Sequence, residues 1–360
     1  MQIIIQLRLF YINVMMPNWQ YIVPGIMFVA WLIWMLTMYR KGNFQWLPAW
    51  AIARVTVLDS VGRLEVIFLL LIGMLLVGVF GFVLYWPQTR EILLDSPVIK
   101  SYIEQRLGGD VGISLSPTEI EVMLADILGM AAMFFGEFFV AIIGFVLGMF
   151  VLPNEMNRGV VFSILPKPLT KSEYVFGKFL GTWFIVTGCF LILALELYLI
   201  EFVWFATHQA GPFELFKMGL HFPVNVLLLR AMILFPFKYA TLLLIIMGMS
   251  LRMPEAPAGI VGLAIFVSGH FSDRIYEMSR DLVLANPFMS LVFKFTYWLL
   301  PHLTEAFSLT ILDVDATTLN QASMWLATDW GVVWGWVWQI TVYNTILLWM
   351  LIWLFRRKSF

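Results

Sequence analysis

The sequence predicts an all-α integral membrane protein with about seven membrane spans. Three observations carry that expectation. The 360 residues are 61% hydrophobic and only 12% charged, with a mean hydropathy of +0.88, so the bilayer rather than water is the solvent this fold requires. Long apolar runs recur near the ~20-residue length of a membrane-crossing helix. Lys and Arg concentrate in alternate connections between those runs, as sidedness in a membrane demands.

The first apolar run, 18–39, ends at Arg40-Lys41-Gly42 and predicts a span. Segment 49–65 carries Trp50, Val57, Val61 and Leu64 against Arg54, Asp59 and Arg63, which predicts an amphipathic helix in the interface rather than a crossing. Segment 66–86 predicts the second span. In the following polar region, 87–127, Ser96-Pro97 opens a helix that stops at Gly108-Gly109. Ser116-Pro117-Thr118-Glu119 opens another with capping-box spacing, leading into the third span at 128–152. Segments 174–201 and 223–251 predict the fourth and fifth spans. The sixth, 258–271, is short for a crossing, and is either partly re-entrant or continuous with the residues after His270. The region 272–329 contains an amphipathic stretch at 287–300 and a helix at 318–328. Segment 330–355 is the last span, with Trp330 and Trp334 near one end and Trp349 and Trp353 near the other.

Arg40, Lys41, Arg54, Arg63, Arg158, Lys167, Lys171, Lys178, Arg252, Arg356, Arg357 and Lys358 share one side, which the positive-inside rule makes cytoplasmic. This puts the C-terminus inside and the N-terminus outside. A net charge of −1 suggests no nucleic-acid partner. A single cysteine, Cys189, lies in an apolar run and excludes a disulfide framework. Gly177-Lys178 is followed by Phe179 and lacks the upstream glycine of a nucleotide-binding loop, so no ATP hydrolysis is expected from this chain. No nucleophile motif or metal-ligand spacing arises around His208, His221, His270 or His302; no catalytic residue, metal or cofactor is expected. Gly136, Gly144 and Gly148 form a small-residue stripe suited to helix packing within the chain or to a homodimer seam.

The polar stretch 153–181 stands out. It holds Glu155, Gly159, the apolar run 160–165, Lys167-Pro168, Ser172-Glu173-Tyr174 and Gly177-Lys178. In this order these elements resemble the loop of the permease subunits of ATP-binding-cassette exporters of the second type, in the branch of multicopper-maturation and gliding-type permeases. Weaker echoes are Ala53-Arg54-Val55-Thr56 through Arg63, Gly269-His270, Leu300-Pro301-His302 and Arg356-Arg357-Lys358. The likeness covers 49–360, leaving 1–48 as an extra N-terminal helix. It departs from the family pattern by lacking an acidic residue just ahead of Arg54.

The resemblance implies a six-span permease bundle, with an elbow helix at 49–65 and a coupling loop at 153–173. It also implies a second permease, identical or not, and a separate cytoplasmic ATPase that carries the ATP. Glu155, Arg158, Lys167, Pro168, Lys171, Glu173 and Tyr174 would then form the ATPase-docking loop in the inner membrane of a prokaryote. Exported cargo would be lipid-like, peptide or glycan. The alternative is a non-transporting anchor that binds envelope proteins through the extra span and outer loops. Independently of any family, Glu137, Glu196, Arg230 and Lys238 are ionisable groups inside spans. They predict either an ion-pair set that fixes packing, each member near enough to the outer interface to snorkel, or the lining of a substrate path.

Overall fold

The computed structural model describes residues 45–85, 117–157, 170–208, 223–281, 287–301, 303 and 330–357. Nine helices contain nearly all of these residues: α1 (Trp46–Val61), α2 (Leu64–Tyr85), α3 (Pro117–Asn157), α4 (Lys171–His208), α5 (Pro223–Ser250), α6 (Glu255–His270), α7 (Ser272–Asp281), α8 (Pro287–Leu299) and α9 (Trp330–Arg357). Among the described residues, four segments are long and apolar enough to cross a membrane: Ala132–Pro153, Lys171–Ile200, Ala231–Ser250 and Trp334–Arg357. α1 and α2, bent by 68° at Gly62-Arg63, add a fifth if the pair acts as one broken span. The expected span at 18–39 and the helices expected near 97–107 and 318–328 lie outside the described residues.

α3 and α5 run side by side: Gly144 and Gly148 lie where an added Cβ would meet Leu242 at 3.2 Å and Ile246 at 3.3 Å. Two members of the glycine stripe therefore serve packing within the chain, because small residues let helix backbones approach. α4 runs opposite to α3, with Gly136 near Leu193 and Gly144 near Val186. The core between them is largely apolar, built from residues such as Ile143, Leu147, Val186, Leu242 and Ile246. α5 contains Pro236. Beside that break, the Trp183 Nε1–H donates to the Pro236 carbonyl at 2.7 Å and the Asn344 Nδ2–H to the Phe237 carbonyl at 2.9 Å. Thr241 Oγ1 also donates to Asn344 Oδ1 at 2.7 Å. These bonds tie α4 and α9 to the proline region of α5 and satisfy polar groups where no water reaches.

Several boundaries differ from expectation. α3 begins at Pro117 and runs unbroken into the candidate span Ala132–Pro153, in keeping with a helix opened at Ser116-Pro117 that leads into the third span. It also continues through Pro153 to Asn157, so the coupling loop does not open at Pro153. Proline removes one helix hydrogen bond and crowds the carbonyl four residues back, and a membrane helix absorbs both near its end. α6 has 16 residues and is about 24 Å long, short of the ~30 Å hydrocarbon core. It ends in a turn at Phe271, followed by the separate helix α7. The chain then returns: the Leu303 N–H donates to the Gly269 carbonyl at 3.2 Å. The segments around Gly269 and Leu300-Pro301, read separately in the sequence, are thus neighbours.

α1 departs most from the sequence reading. Its exposed residues include apolar Trp50, Leu58 and Val61 beside charged Arg54 and Asp59, while its buried side consists of Ala49, Ala53, Thr56 and Ser60. That small-residue side packs on Gly177 and Gly181 of α4. Gln45 meets Glu173, Ala49 meets Gly177 and Ala53 meets Gly181, a constant register that only helices running alongside one another maintain. α1 therefore lies along α4, where the sequence suggested a helix spread flat in the interface. The apolar-versus-charged pattern was read correctly, but the decisive face is a third one, made of small residues.

Candidate functional site

Two constellations of polar side chains are built into this bundle. The first is at the start of α4. Thr170 and Glu173 form a capping box: the Glu173 N–H donates to Thr170 Oγ1 at 3.3 Å, and the Thr170 N–H donates to Glu173 Oε2 at 2.8 Å. This satisfies donors that a helix start otherwise leaves orphaned. The other carboxylate oxygen, Oε1, accepts the Gln45 backbone N–H ahead of α1. One carboxylate therefore caps α4 and fastens the beginning of α1. Its neighbour Ser172 accepts from Arg356 Nε at 3.1 Å and Nη2 at 2.7 Å, which brings in the end of α9. Tyr174 stacks on Phe355 with ring centroids 5.9 Å apart, and the Lys178 ammonium lies 5.9 Å from the centre of the Tyr174 ring. Ser172, Glu173, Tyr174 and Lys178 are all buried.

This corrects the expected docking surface. Glu173 and Tyr174, each only 1% exposed, face inward and clamp three helices together, so they offer nothing to a partner's rim. Lys171 is the half-buried first residue of α4. Glu155 lies on the last turn of α3, and Arg158, Lys167 and Pro168 lie outside the described residues. The signal that identifies the clamp, Thr170-x-x-Glu173 ahead of an apolar helix, is present in the sequence as a capping box. Arg356 as its distant partner is not readable there. Replacing Arg356 with alanine is expected to weaken the clamp by about 1–2 kcal/mol, since Ser172 then loses two charge-assisted donors. Faster amide exchange in the first turn of α4 and the last turn of α9, with the centre of the bundle unchanged, is the measurement that checks it.

The second constellation lies inside the bundle. The Lys238 ammonium on α5 pairs with Glu137 Oε1 on α3, and the Lys238 side chain is 0% exposed. Lys238 also sits 5.0 Å from the centre of the Phe235 ring. His270, the last residue of α6, places Nε2 3.7 Å from the same Glu137 oxygen. Its Nδ1 lies 3.0 Å from the Phe266 carbonyl, an atom that only accepts, so Nδ1 carries the hydrogen. A neutral ring then turns a lone pair toward Glu137, and a protonated ring a donor. The cluster joins three helices at one level and buries a charge that could not stay unpaired.

Among the described side chains of the four intramembrane ionisable groups, the fold brings together Glu137 and Lys238. Snorkelling is not how Lys238 is accommodated, because it is enclosed and neutralised in place. Glu196 stands apart on α4, and Arg230 has no described side-chain position. His270, which the sequence reading gave no chemical role, is the third member of the cluster. Among the described residues no group of acidic, histidine or cysteine side chains could hold a metal ion. Cys189 is buried. No protein-family model matches the chain, and no curated protein matches it in sequence.

Proposed function

We propose that this chain is the membrane subunit of an ATP-driven exporter of the ATP-binding-cassette class, seated in the cytoplasmic membrane of a prokaryote with its C-terminus inside. A cytoplasmic ATPase on a separate polypeptide supplies the energy, and a second permease completes the path. The cargo is a lipid-like, peptide or glycan molecule.

The observation that carries this reading is the connection between α3 and α4. It holds Arg158, Lys167 and Pro168, and it feeds directly into the clamp formed by Ser172, Glu173 and Tyr174. A push delivered to the clamp would reach α1 through Gln45 and α9 through Arg356. Pro166 and Pro168 restrict the backbone on the way. A loop joined to a buried clamp suits the transfer of force from a soluble motor to several membrane helices. The docking contacts themselves then come from Glu155, Arg158, Lys167 and Lys171, with the clamp residues acting behind them.

The test is a mild-detergent pull-down of the full chain, wild type against Glu155→Lys plus Lys167→Glu, with mass spectrometry and an ATPase assay. An ATPase retained by the wild type and lost from the variant is the expected result. A stable complex with envelope proteins and no ATPase in either sample would overturn the exporter reading in favour of an anchoring role.

A further inference from the structure

Glu137 and Glu196 lie in one layer of the bundle but are treated very differently by it. Gly136, next to Glu137, is approached by Leu193, one turn before Glu196, and by Val77 of α2. Glu137 is matched by Lys238 and faced by His270. Glu196 has no such counterpart among the described residues: its Oε2 is buried and meets no hydrogen-bond donor there. It also falls inside the candidate span Lys171–Ile200, near its end, where few waters are at hand to replace a missing donor. A carboxylate oxygen left bare in an apolar setting is unfavourable, so a donor from outside the described residues is favoured there.

The surroundings say what kind of donor fits. The other oxygen, Oε1, faces Gly78 of α2, where an added Cβ would stand 3.6 Å away; α2 sets no side chain against the carboxylate at this point, the α2–α4 notch. One turn from that notch, Leu75 on α2 and Ile192 and Leu199 on α4 are exposed by 68%, 43% and 51%. The approach from outside the bundle is therefore apolar and ends on one acidic acceptor. A long alkyl chain matches the approach, and a cation neutralises the carboxylate. Because Oε2 lacks a hydrogen bond as well as a countercharge, the cation must also donate N–H.

We propose that the α2–α4 notch binds the primary ammonium head of a membrane-embedded amphiphile, held by Glu196, with its alkyl chain over Leu75, Ile192 and Leu199. The site goes beyond the exporter reading and does not depend on an ATPase. Its chemistry is shared by an aminoethyl-headed bilayer lipid and by an amphiphilic amine that the protein handles as cargo.

The experiment measures saturable binding of radiolabelled dodecylamine to the full chain in nanodiscs of choline-headed lipid. Glu196→Gln is expected to weaken binding by about tenfold or more, as loss of a charged partner requires. Gly78→Leu, which fills the notch and leaves the carboxylate, should do the same. Dodecyltrimethylammonium, which cannot donate a hydrogen bond, and dodecanol, which has no charge, should compete at least about tenfold less well than dodecylamine itself. In nanodiscs of aminoethyl-headed lipid, weaker apparent binding identifies the bilayer lipid as the natural occupant, and unchanged binding points to cargo. The proposal is overturned if the wild type shows no saturable component, if both variants bind as the wild type does, or if all three head groups compete equally.

Discussion

Replacing Gly181 with leucine is expected to push α1 off α4 and to destabilise the protein by about 3 kcal/mol, the upper end for overpacking. A Cβ at this position would stand 2.6 Å from the Ala53 carbonyl and 2.7 Å from the Thr56 Cβ. The first obstacle is backbone, so no rotamer change relieves it and the helices must separate. Gly177→Leu should behave alike, since its Cβ would meet the Ala49 carbonyl at 2.5 Å. Gly188 on the same helix supplies the control: an added Cβ there has nothing within 4 Å, so Gly188→Leu should be nearly neutral. Thermal unfolding in detergent gives the ranking. Maleimide access to a Ser60→Cys probe, which is enclosed in the wild type, reports directly whether α1 has left. The lone native cysteine is buried and gives little background. Equal losses for Gly181→Leu and Gly188→Leu would refute the close-packing account.

The second large effect belongs to the buried ion pair. Glu137→Gln strands the Lys238 ammonium in the core with no countercharge and is expected to destabilise by about 3–5 kcal/mol. Lys238→Met strands the carboxylate and should cost a similar amount. The double variant removes both charges and should recover most of the loss, because matched apolar replacement of a buried pair is close to neutral. His270→Gln should matter less, since that ring is 3.7 Å away and its side chain is 27% exposed. A thermodynamic cycle over the four forms checks this. Purely additive losses would mean that the two groups do not depend on each other.

Much of the architecture was legible along the chain. Segment 223–251 predicts α5 almost to the residue, and 330–355 predicts α9, because a long apolar run must be helical where the backbone has no water to bond. Likewise, the start at Ser116-Pro117 and the amphipathic stretch at 287–300 reflect local chemistry and reappear as the beginnings of α3 and α8. The ionisable residues inside spans were also visible, since charge in an apolar run needs no structure to be noticed. Which of them pair was not visible. Glu137 and Lys238 are 101 positions apart, and only the parallel packing of α3 on α5 makes them neighbours.

The candidate docking loop divides along the same line. The family resemblance of the polar stretch that holds them placed Glu173 and Tyr174 on a docking surface. Their inward orientation depends on Gln45 and Phe355, which arrive from opposite ends of the chain. By itself the sequence determined that the protein is helical and apolar enough for a membrane, roughly where its helices lie, and which residues carry unusual chemistry, since these follow from local composition and the bilayer's demand for internal hydrogen bonds. Tertiary structure alone decided that α1 stands along α4, that Glu173 is a clamp, and that Glu137 is matched while Glu196 is not. Each of those outcomes rests on which faces of distant helices meet, and hydrophobic pattern does not encode that choice when nearly every face is apolar.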